Sequence, residues 1–348
     1  MLFALVISLL AFDPAATVRA LKFDEAREGA LIQLFELDYG QLEHARGAQM
    51  SGAIAQVILD ENISLKERII AVRALSHLQA RQGATHLASV LRLETTPEGV
   101  ALAREAARAL YQLGARQHLI PGLGSVDPEV RAYAARSGAG GPALCAVLTQ
   151  DPWPMVRAAA AEGVVLEAQA AKCLIAGLKD SDQDVRRAVV RGLGEARVMG
   201  ATEALEKLVR RSKNPMGLRI DALFALGQMG AARGPKAILN HHLMHGGLER
   251  LAHGAVAALL VSRTNEPILV KTTRSKSPRV ALAAARGLVE QRHPEAKSLT
   301  KALRDRLKGR LRAEADRLLE TFAVAPTLGT EMGRDAPEDA PESAESLE

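Results

Sequence analysis

A recurring phrase is the feature that most constrains the fold of this chain. An acidic or turn residue leads into Val-Arg or Leu-Arg and then into a run of small apolar residues, as in DPEVRAYAARSGAGG, DPWPMVRAAAAEGVV, SDQDVRRAVVRGLGEA and NPMGLRIDALFALGQMGA. The arginines Arg131, Arg157, Arg186 and Arg219 are 26, 29 and 33 residues apart. A period of about 30 residues indicates small motifs that bury their apolar faces only by stacking, so we expect an all-α solenoid.

The composition fits a core that is one helix layer thick. Aromatic residues make up 3% of the 348 residues, whereas alanine, leucine and valine are abundant. A compact domain of this length usually fills a deep core with aromatic side chains. A stacked array grows in one dimension instead, so the length alone does not require several globular domains.

Four segments can be distinguished along the chain. Residues 1–20 are expected to form a signal peptide, and residues 21–62 to form helices that cap the exposed end of the stack. Residues 63–324 are expected to form a superhelix of about eight to nine two-helix repeats. Residues 325–348 have no apolar period, and their composition is typical of a disordered acidic tail.

The N-terminal segment carries the sequence signal for localisation. The run MLFALVISLLAF has the length of a signal-peptide core and is too short to cross a bilayer as a helix. Val18 and Ala20 suit a cleavage site after Ala20, so a periplasmic or secreted protein with no membrane span in its mature chain is expected. No lysine or arginine precedes the apolar run, which leaves a capping helix of a cytoplasmic protein as the alternative.

Local signals predict two helices in each repeat. The first helix carries the Val-Arg phrase and opens on Asp, Ser or Asn, often with proline in its first turn. The second helix is an LxxL segment such as TEALEKLVRRS. The first helix is expected to end at glycines that favour C-caps, namely Gly194, Gly227 and Gly230.

The phrase resembles the HEAT-repeat family, in the short bacterial form that also occurs in phycobilin-lyase subunits. The resemblance covers roughly residues 63–323. It implies that an Asp before the first helix and an Arg within it bond neighbouring units into a ladder. These structural roles would fall on Asp127 with Arg131, Asp151 with Arg157, Asp182 with Arg186, and Asn214 with Arg219.

Two adjacent places depart from the repeat. The unit at 126–150 is curtailed, because Gly138, Gly140 and Gly141 stand where its helix should continue, and a break or bend is expected there. The next unit contains Trp153, the only tryptophan, between two prolines. Trp153 either anchors a partner, as aromatic residues often do at interfaces, or fills the gap left by the short unit.

The two cysteines occupy nearly equivalent positions in adjacent units. Stacked helices lie about 8–10 Å apart, whereas a disulfide needs Cα atoms within about 7 Å. We therefore expect Cys145 and Cys173 to be two small buried residues rather than a disulfide. The chain has no CxxC motif, so a zinc site is not indicated.

A stripe of variable side chains is expected on the exposed face of the Val-Arg helices. With Val185 and Leu193 facing inward, Arg187 and Arg191 point outward four residues apart. The positions that correspond to Arg191 in other units hold Arg136, Glu162, Phe224 and Arg286. The HEAT resemblance places this face on the concave side, where the stripe would bind a partner, and its arginines suit carboxylate or phosphate groups.

Sequence motifs give little support for catalysis or for a cofactor. His241 and His245 are spaced to share a helix face, as metal ligands often are. No third ligand is evident, and Gly246 and Gly247 should break the helix, so the two histidines are weak candidates for metal ligands. The chain has no His-Glu dipeptide, as the iron hydroxylases of the HEAT family require, and no nucleotide-binding or GxSxG motif. We predict no catalytic residue and no cofactor.

Charge is distributed unevenly toward the C-terminus. The net charge is +5, but residues 325–348 carry seven acids against the single base Arg334. Residues 263–324 carry 15 lysines and arginines against 7 acids. Such a basic segment attracts phosphate or an acidic protein, or is masked by the acidic tail.

These observations favour a non-enzymatic, exported scaffold that binds a protein partner, which could be acidic, on the concave face of the solenoid. The first alternative is a lyase-type or metal-dependent enzyme subunit with a ligand in the groove. The second is a cytoplasmic protein that binds nucleic acid through residues 263–324. Export would argue against nucleic acid as the partner. The sequence does not predict the oligomeric state.

Overall fold

A computed structural model describes residues 12–166, 170–261 and 267–322. Within these ranges the chain forms α-helices and short 3-10 segments joined by turns, without a β-strand. The predicted all-α solenoid class is confirmed. The predicted acidic tail at 325–348 and most of the apolar N-terminal run lie outside the described residues.

Contacts divide the chain into two compact units, residues 1–264 and 265–348, where the sequence predicted one array over 63–324. The described α-helices of the first unit are α1 (Pro14–Ala20), α2 (Asp24–Gln33), α3 (Tyr39–Ala45), α4 (Ala48–Leu59), α5 (Leu65–His77), α6 (Ala84–Val90), α7 (Pro97–Gln112), α8 (Pro128–Arg136), α9 (Ala143–Gln150), α10 (Pro154–Gly163), α11 (Ala170–Gly177), α12 (Gln183–Glu195), α13 (Thr202–Arg210), α14 (Met216–Gln228), α15 (Arg233–His245) and α16 (Glu249–Val261). Its described 3-10 segments are Arg81–Gly83, Arg116–Gly124, Val164–Leu166 and Met199–Ala201. Those of the second unit are α17 (Pro267–Thr272), α18 (Pro278–Glu290), α19 (Ala296–Arg304) and α20 (Gly309–Glu320).

The Val-Arg helices form the continuous layer of the first unit. Helix α8 packs on α10, α10 on α12, α12 on α14, and α14 on α16. The second helices of the repeats, such as α13 and α15, lie against this layer. In α12 the residues predicted to face inward, Val185, Ala188, Val189 and Leu193, are all buried. Because these side chains are small, neighbouring helices share a thin apolar core, as the composition predicts.

Two glycines that were predicted to end helices instead lie inside them. Gly194 precedes the last residue of α12, and Gly227 precedes the last residue of α14. A Cβ at Gly194 would lie 2.7 Å from Cα of Ala225, and one at Gly227 would lie 2.4 Å from the carbonyl oxygen of Ala258. The C-cap interpretation was therefore wrong at these two positions: they are glycine because the next helix of the layer approaches too closely for a side chain.

The curtailed unit has the predicted form. Helix α8 ends at Arg136, after 9 residues, whereas α12 and α14 have 13. Gly138 and Gly141 follow with φ of +77° and +53°, in the left-handed region that ends a helix. The chain then turns directly into α9.

Cys145 of α9 and Cys173 of α11 form a disulfide, and the expectation of two separate thiols was wrong. Their Cα atoms are 5.2 Å apart. The spacing of about 8–10 Å between packed helices is measured between axes, and residues that face each other across the contact come closer than the axes do. The disulfide links the short unit to the unit that contains Trp153.

Helices α1, α2 and α4 pack together at the start of the first unit, and the capping role of residues 21–62 stays a prediction. Helix α1 lies against α2 and α4, and Leu21 directly after it is 2% exposed. Cleavage after Ala20 stays a prediction, and it would remove α1 from this packing. None of the helices in the described ranges has the length and apolar character needed to span a bilayer.

Candidate functional site

Two ladder arginines bind a carboxylate of the following repeat through the same fork of atoms. Nε and Nη2 of Arg131 donate to the carboxylate of Asp151 at 2.8 and 3.2 Å. The corresponding atoms of Arg157 donate to Asp180 at 2.7 and 2.9 Å. The remaining Nη1 of each arginine donates to two backbone carbonyls in the opening turn of its own repeat. Each guanidinium therefore joins two consecutive turns, as the resemblance implies.

A related ion pair joins the preceding repeat to α8, at an arginine that the sequence did not identify. Nη2 of Arg104 donates to Asp127 at 2.6 Å, and Asp127 also accepts from the amides of Glu129 and Val130 at the start of α8. Burial raises the pKa of Asp127, but these bonds and the charge of Arg104 together hold that pKa below its ordinary value. Arg104 lies outside the Val-Arg phrase, so the repeat gave no signal for it.

The structure places Asp182 differently from the predicted ladder role. Its carboxylate accepts from the amides of Asp184 and Val185 and caps α12. The ladder carboxylate is Asp180, two residues earlier. Asp180 stands six residues before Arg186, as Asp151 stands before Arg157. That shared spacing was the signal in the sequence that could have identified it.

The last predicted ladder step is not formed. Arg219 is 6% exposed, and its Nε donates to the backbone carbonyl of Val209 at 2.8 Å. Burial lowers the pKa of this guanidinium. Asn214 donates to the carbonyl of Leu208 at 2.8 Å. Both side chains therefore hold the turn before α14 to the end of α13 instead of pairing with each other.

The predicted stripe is a network of ion pairs between neighbouring Val-Arg helices. Nε of Arg136 donates to Glu162 at 2.6 Å, and Nε of Arg187 donates to Asp221 at 2.7 Å. Arg191 lies 4.0 Å from Glu162 and 3.9 Å from Asp221. The stripe thus joins α8, α10, α12 and α14, and Asp221 is a member that the sequence reasoning missed. Its role in binding a partner stays a prediction.

The other two predicted members are Phe224 and Arg286. Phe224 of α14 is exposed. Arg286 of α18 belongs to the second unit, where it pairs with Glu314 of α20. Ion pairs therefore connect four of the six predicted residues, namely Arg136, Glu162, Arg187 and Arg191.

Three exposed apolar side chains lie on two successive turns that open α8 and α10. Val126, Trp153 and Met155, which we call the apolar edge, are 70%, 51% and 45% exposed. Arg131 donates to the carbonyl of Val126 at 3.2 Å, and its partner Asp151 accepts from the amide of Trp153 at 2.9 Å. One ladder ion pair therefore fixes both turns of the edge.

Trp153 occupies a position that other repeats give to aspartate. It is the N-cap residue of α10 and makes no side-chain cap bond, whereas Asp127 and Asp182 cap α8 and α12. Loss of a capping side chain costs about 1 kcal/mol. Half of the Trp153 surface remains exposed, which favours a contact role over the alternative of filling the gap beside the short unit.

A groove that the sequence did not reveal lies between α5 and α7. It has a volume of about 530 Å³, and its lining includes Phe35, Arg73, His77 and Glu105. The rings of Phe35 and His77 are 5.2 Å apart, and Arg73 pairs with Glu105 at 2.6 Å.

His241 and His245 lie together on α15, as their spacing predicts. Their ring centroids are 5.0 Å apart, and both residues are exposed. Helix α15 ends at His245, and Gly246 and Gly247 have φ of +69° and +68°, so the predicted break is confirmed. The described part of the chain contains no group of three or more potential metal ligands.

A family model gives direct support for the resemblance. Residues 171–259 match the model of HEAT repeats. The match runs from the second residue of α11 to the third-last residue of α16, and it confirms the HEAT resemblance for that stretch. No curated protein matches the chain.

Three solved structures from different organisms have a similar helical architecture. The Escherichia coli protein YibA is 15% identical, with a TM-score of 0.45, over 74% of this chain and 96% of that chain. Human deoxyhypusine hydroxylase is 17% identical, with a TM-score of 0.30, over 79% of this chain and 96% of that chain. The CpcE and CpcF complex of Nostoc phycocyanin lyase is 16% identical, with a TM-score of 0.29, over 89% of this chain and 95% of that chain. Likeness at this level carries no information about activity.

Proposed function

We propose that this protein is a non-enzymatic, exported scaffold that binds a partner protein through its helical repeats. The observation that carries the proposal is the apolar edge of Val126, Trp153 and Met155. Stacked repeats offer extended surfaces of the kind that protein partners occupy. The stripe on the Val-Arg helices, with exposed Phe224, is a second surface available to the same partner.

The apolar edge has the properties of a binding hot spot. Tryptophan is enriched at such positions, where its truncation costs about 2 kcal/mol or more. Prolines on both sides of Trp153 and the bond from its amide to Asp151 restrict the turn before any partner arrives. Restriction of the free state lowers the entropy cost of association. Trp153 replaces a capping aspartate at some cost in stability, which a contact with a partner would explain.

Export is supported by the disulfide between Cys145 and Cys173. Disulfides persist in oxidising compartments and are rare in cytosolic proteins. The apolar N-terminal run points to the same location. The two features are independent, since one lies in the first residues and the other in the repeats.

Site-specific photo-crosslinking in the native cells tests the proposed surface. A benzophenone side chain at position 126 or 153 should give one discrete adduct, which mass spectrometry identifies. The purified partner should then bind the wild-type protein, and Trp153→Ala should weaken the dissociation constant at least tenfold.

Position 39 provides the control, because Tyr39 is an exposed aromatic residue elsewhere in the first unit. Crosslinking there should not give the same adduct. Identical adducts at all three positions, or a partner whose affinity does not depend on Trp153, would contradict the proposal. An adduct with a second copy of this chain would identify self-association as the use of the surface.

A further inference from the structure

One guanidinium fork of the ladder has no carboxylate. Arg186 has the same backbone attachment as the two arginines before it, because its Nη1 donates to the carbonyls of Asp180 and Ser181 at 2.6 and 2.8 Å. In Arg131 and Arg157 the Nε and Nη2 atoms then bind an aspartate. In Arg186 these two atoms have no hydrogen-bond acceptor among the residues that the structure describes, and no acid of those residues lies at ion-pairing distance from them. The backbone bonds of Nη1 thus hold the Arg186 guanidinium in the ladder position, while its Nε and Nη2 donors bind no described carboxylate.

The following turn has a lysine where the ladder requires an acid. Asp151 and Asp180 each stand six residues before the ladder arginine of their own repeat, and Lys213 stands six residues before Arg219. Lys213 is exposed, as is Arg211 in the same turn. Substitution of a lysine for the acid removes the internal ligand and leaves a positive charge in its place.

Packing brings this turn toward Arg186. A Cβ at Gly217, in the first turn of α14, would lie 3.4 Å from Cζ of Arg187. The start of α14 therefore lies against the residue next to Arg186, and the turn with Lys213 directly precedes it. The carboxylate of Asp182, the N-cap residue of the same helix, is turned to the amides of α12.

We infer that Arg186, with Lys213 and Arg211, is a binding site for a carboxylate of an acidic peptide segment in the partner. The inference rests on the proposed function and deepens it by naming the chemistry of one contact. A guanidinium fork presents two parallel donors that match both oxygens of a carboxylate. The preceding two repeats show the same fork holding an aspartate in that way, so the partner's side chain takes the place of the missing ladder residue.

Binding of an acidic peptide to the full-length protein tests the site. The probe is a fluorescein-labelled peptide of twelve residues, (Asp-Gly-Glu-Ser)3, and its Asn and Gln counterpart is the neutral control. Fluorescence anisotropy at low ionic strength should show binding of the acidic peptide only, since salt screens such contacts. Arg186→Gln should weaken its dissociation constant about five- to tenfold. Arg92→Gln removes an exposed arginine elsewhere in the first unit and should have less than a twofold effect.

A second variant supplies a carboxylate for Arg186 from the protein itself, and its effect does not depend on the loss of Arg186. Lys213→Asp should complete the ladder, raise the Tm of the protein and abolish binding of the acidic peptide. The gain in Tm should vanish when Arg186→Gln is added, because the new carboxylate then has no partner. Lys22→Asp makes the same charge change at another exposed turn and should leave the Tm and the binding nearly unchanged.

The outcomes separate this inference from the proposed function. Equal binding of the acidic peptide to the wild-type protein and to Arg186→Gln would overturn the inference, as would Lys213→Asp behaving like Lys22→Asp. A partner that is captured at the apolar edge while the acidic peptide does not bind would defeat the carboxylate site alone. Failure of both experiments would remove the scaffold proposal as well.

Discussion

Arg131 and Arg157 lie between packed repeats because their strong donors have acceptors. An arginine that loses hydration is destabilising unless its N–H groups are bonded. Arg157 gives Nε and Nη2 to Asp180 and Nη1 to two carbonyls, and the Asp180 hydrogen bond raises the pKa of its guanidinium. Arg219 has a carbonyl but no carboxylate, and burial lowers its pKa. At this scale the acid at the start of the next repeat is what makes a ladder arginine stabilising.

Asp180 should make the stability of the protein depend on pH in the acid range. Burial raises the pKa of Asp180, but bonds from Arg157 and from the amide of Asp182, together with nearby positive charge, hold the pKa below its ordinary value of 3.8. A carboxyl group with a lowered pKa in the folded state stabilises the protein above its unfolded pKa, and this contribution is lost as the pH falls through the folded value. Asp180→Asn should reduce the free energy of unfolding by about 2 kcal/mol at pH 7, and the difference from the wild type should shrink below about pH 4.

Thermal unfolding between pH 7 and pH 2.5 measures this difference. The control is Asp184→Asn, which removes an exposed carboxylate from the first turn of α12, just after the turn that holds Asp180, and should change the stability by less than about 0.5 kcal/mol. A gap between the wild type and Asp180→Asn that stays constant down to the lowest pH would show that the charge of Asp180 is not the source of the effect.

At the element scale, successive Val-Arg helices approach closely where glycine faces the next backbone. A Cβ at Gly227 of α14 would lie 2.4 Å from the carbonyl oxygen of Ala258 in α16. A backbone atom cannot rotate away as a side chain can, so a methyl group at this point must push the helices apart. The helix spacing of the layer is therefore encoded in small residues rather than in large interlocking side chains.

Gly227→Ala should reduce the free energy of unfolding by about 1–3 kcal/mol, because the added methyl group overpacks the contact between α14 and α16. Gly29→Ala is the matched control, since a Cβ at Gly29 in the exposed face of α2 meets no atom within 4 Å. Alanine favours helices over glycine by about 0.8–1.0 kcal/mol, so this variant should be stabilised. Circular dichroism during heating gives both changes. Equal effects of the two substitutions would disprove the close-contact explanation.

The sequence predicted what repeats and missed what depends on three-dimensional neighbours. The burial of Val185 and Leu193, the short α8 and the break after His245 all follow from local patterns, and all are confirmed. The role of Gly227 as a contact and the disulfide of Cys145 depend on which faces of two helices meet. Spacing along the chain does not contain that information. For the same reason the sequence did not predict that Arg104 pairs with Asp127 or that the arginines of the stripe pair with Asp221.

At the scale of the whole molecule, two departures from the repeat lie in the neighbouring units 126–150 and 151–180, and a third follows at Lys213. The short unit at 126–150 is joined by the disulfide to the unit that carries Trp153, and Lys213 interrupts the ladder two turns later. The disulfide thus fixes the two repeats whose opening turns form the apolar edge. A scaffold that presents Val126 and Trp153 at a constant spacing requires those repeats to stay packed, and this gives the cross-link a functional reason beyond stability.

The state of the cysteines in the native cell tests both the cross-link and the proposed location. When thiols are trapped with an alkylating reagent at lysis, an exported protein should have neither Cys145 nor Cys173 modified, whereas a cytoplasmic protein should have both modified. For the purified protein, the loop of sequence separation 28 predicts that reduction lowers the free energy of unfolding by about 3–4 kcal/mol. The double variant Cys145→Ser with Cys173→Ser is the control, because its Tm should match that of the reduced wild type and should not respond to the reductant. Free thiols at both positions in trapped cells would contradict export, and a Tm that reduction leaves unchanged would show that the disulfide does not hold the two repeats together.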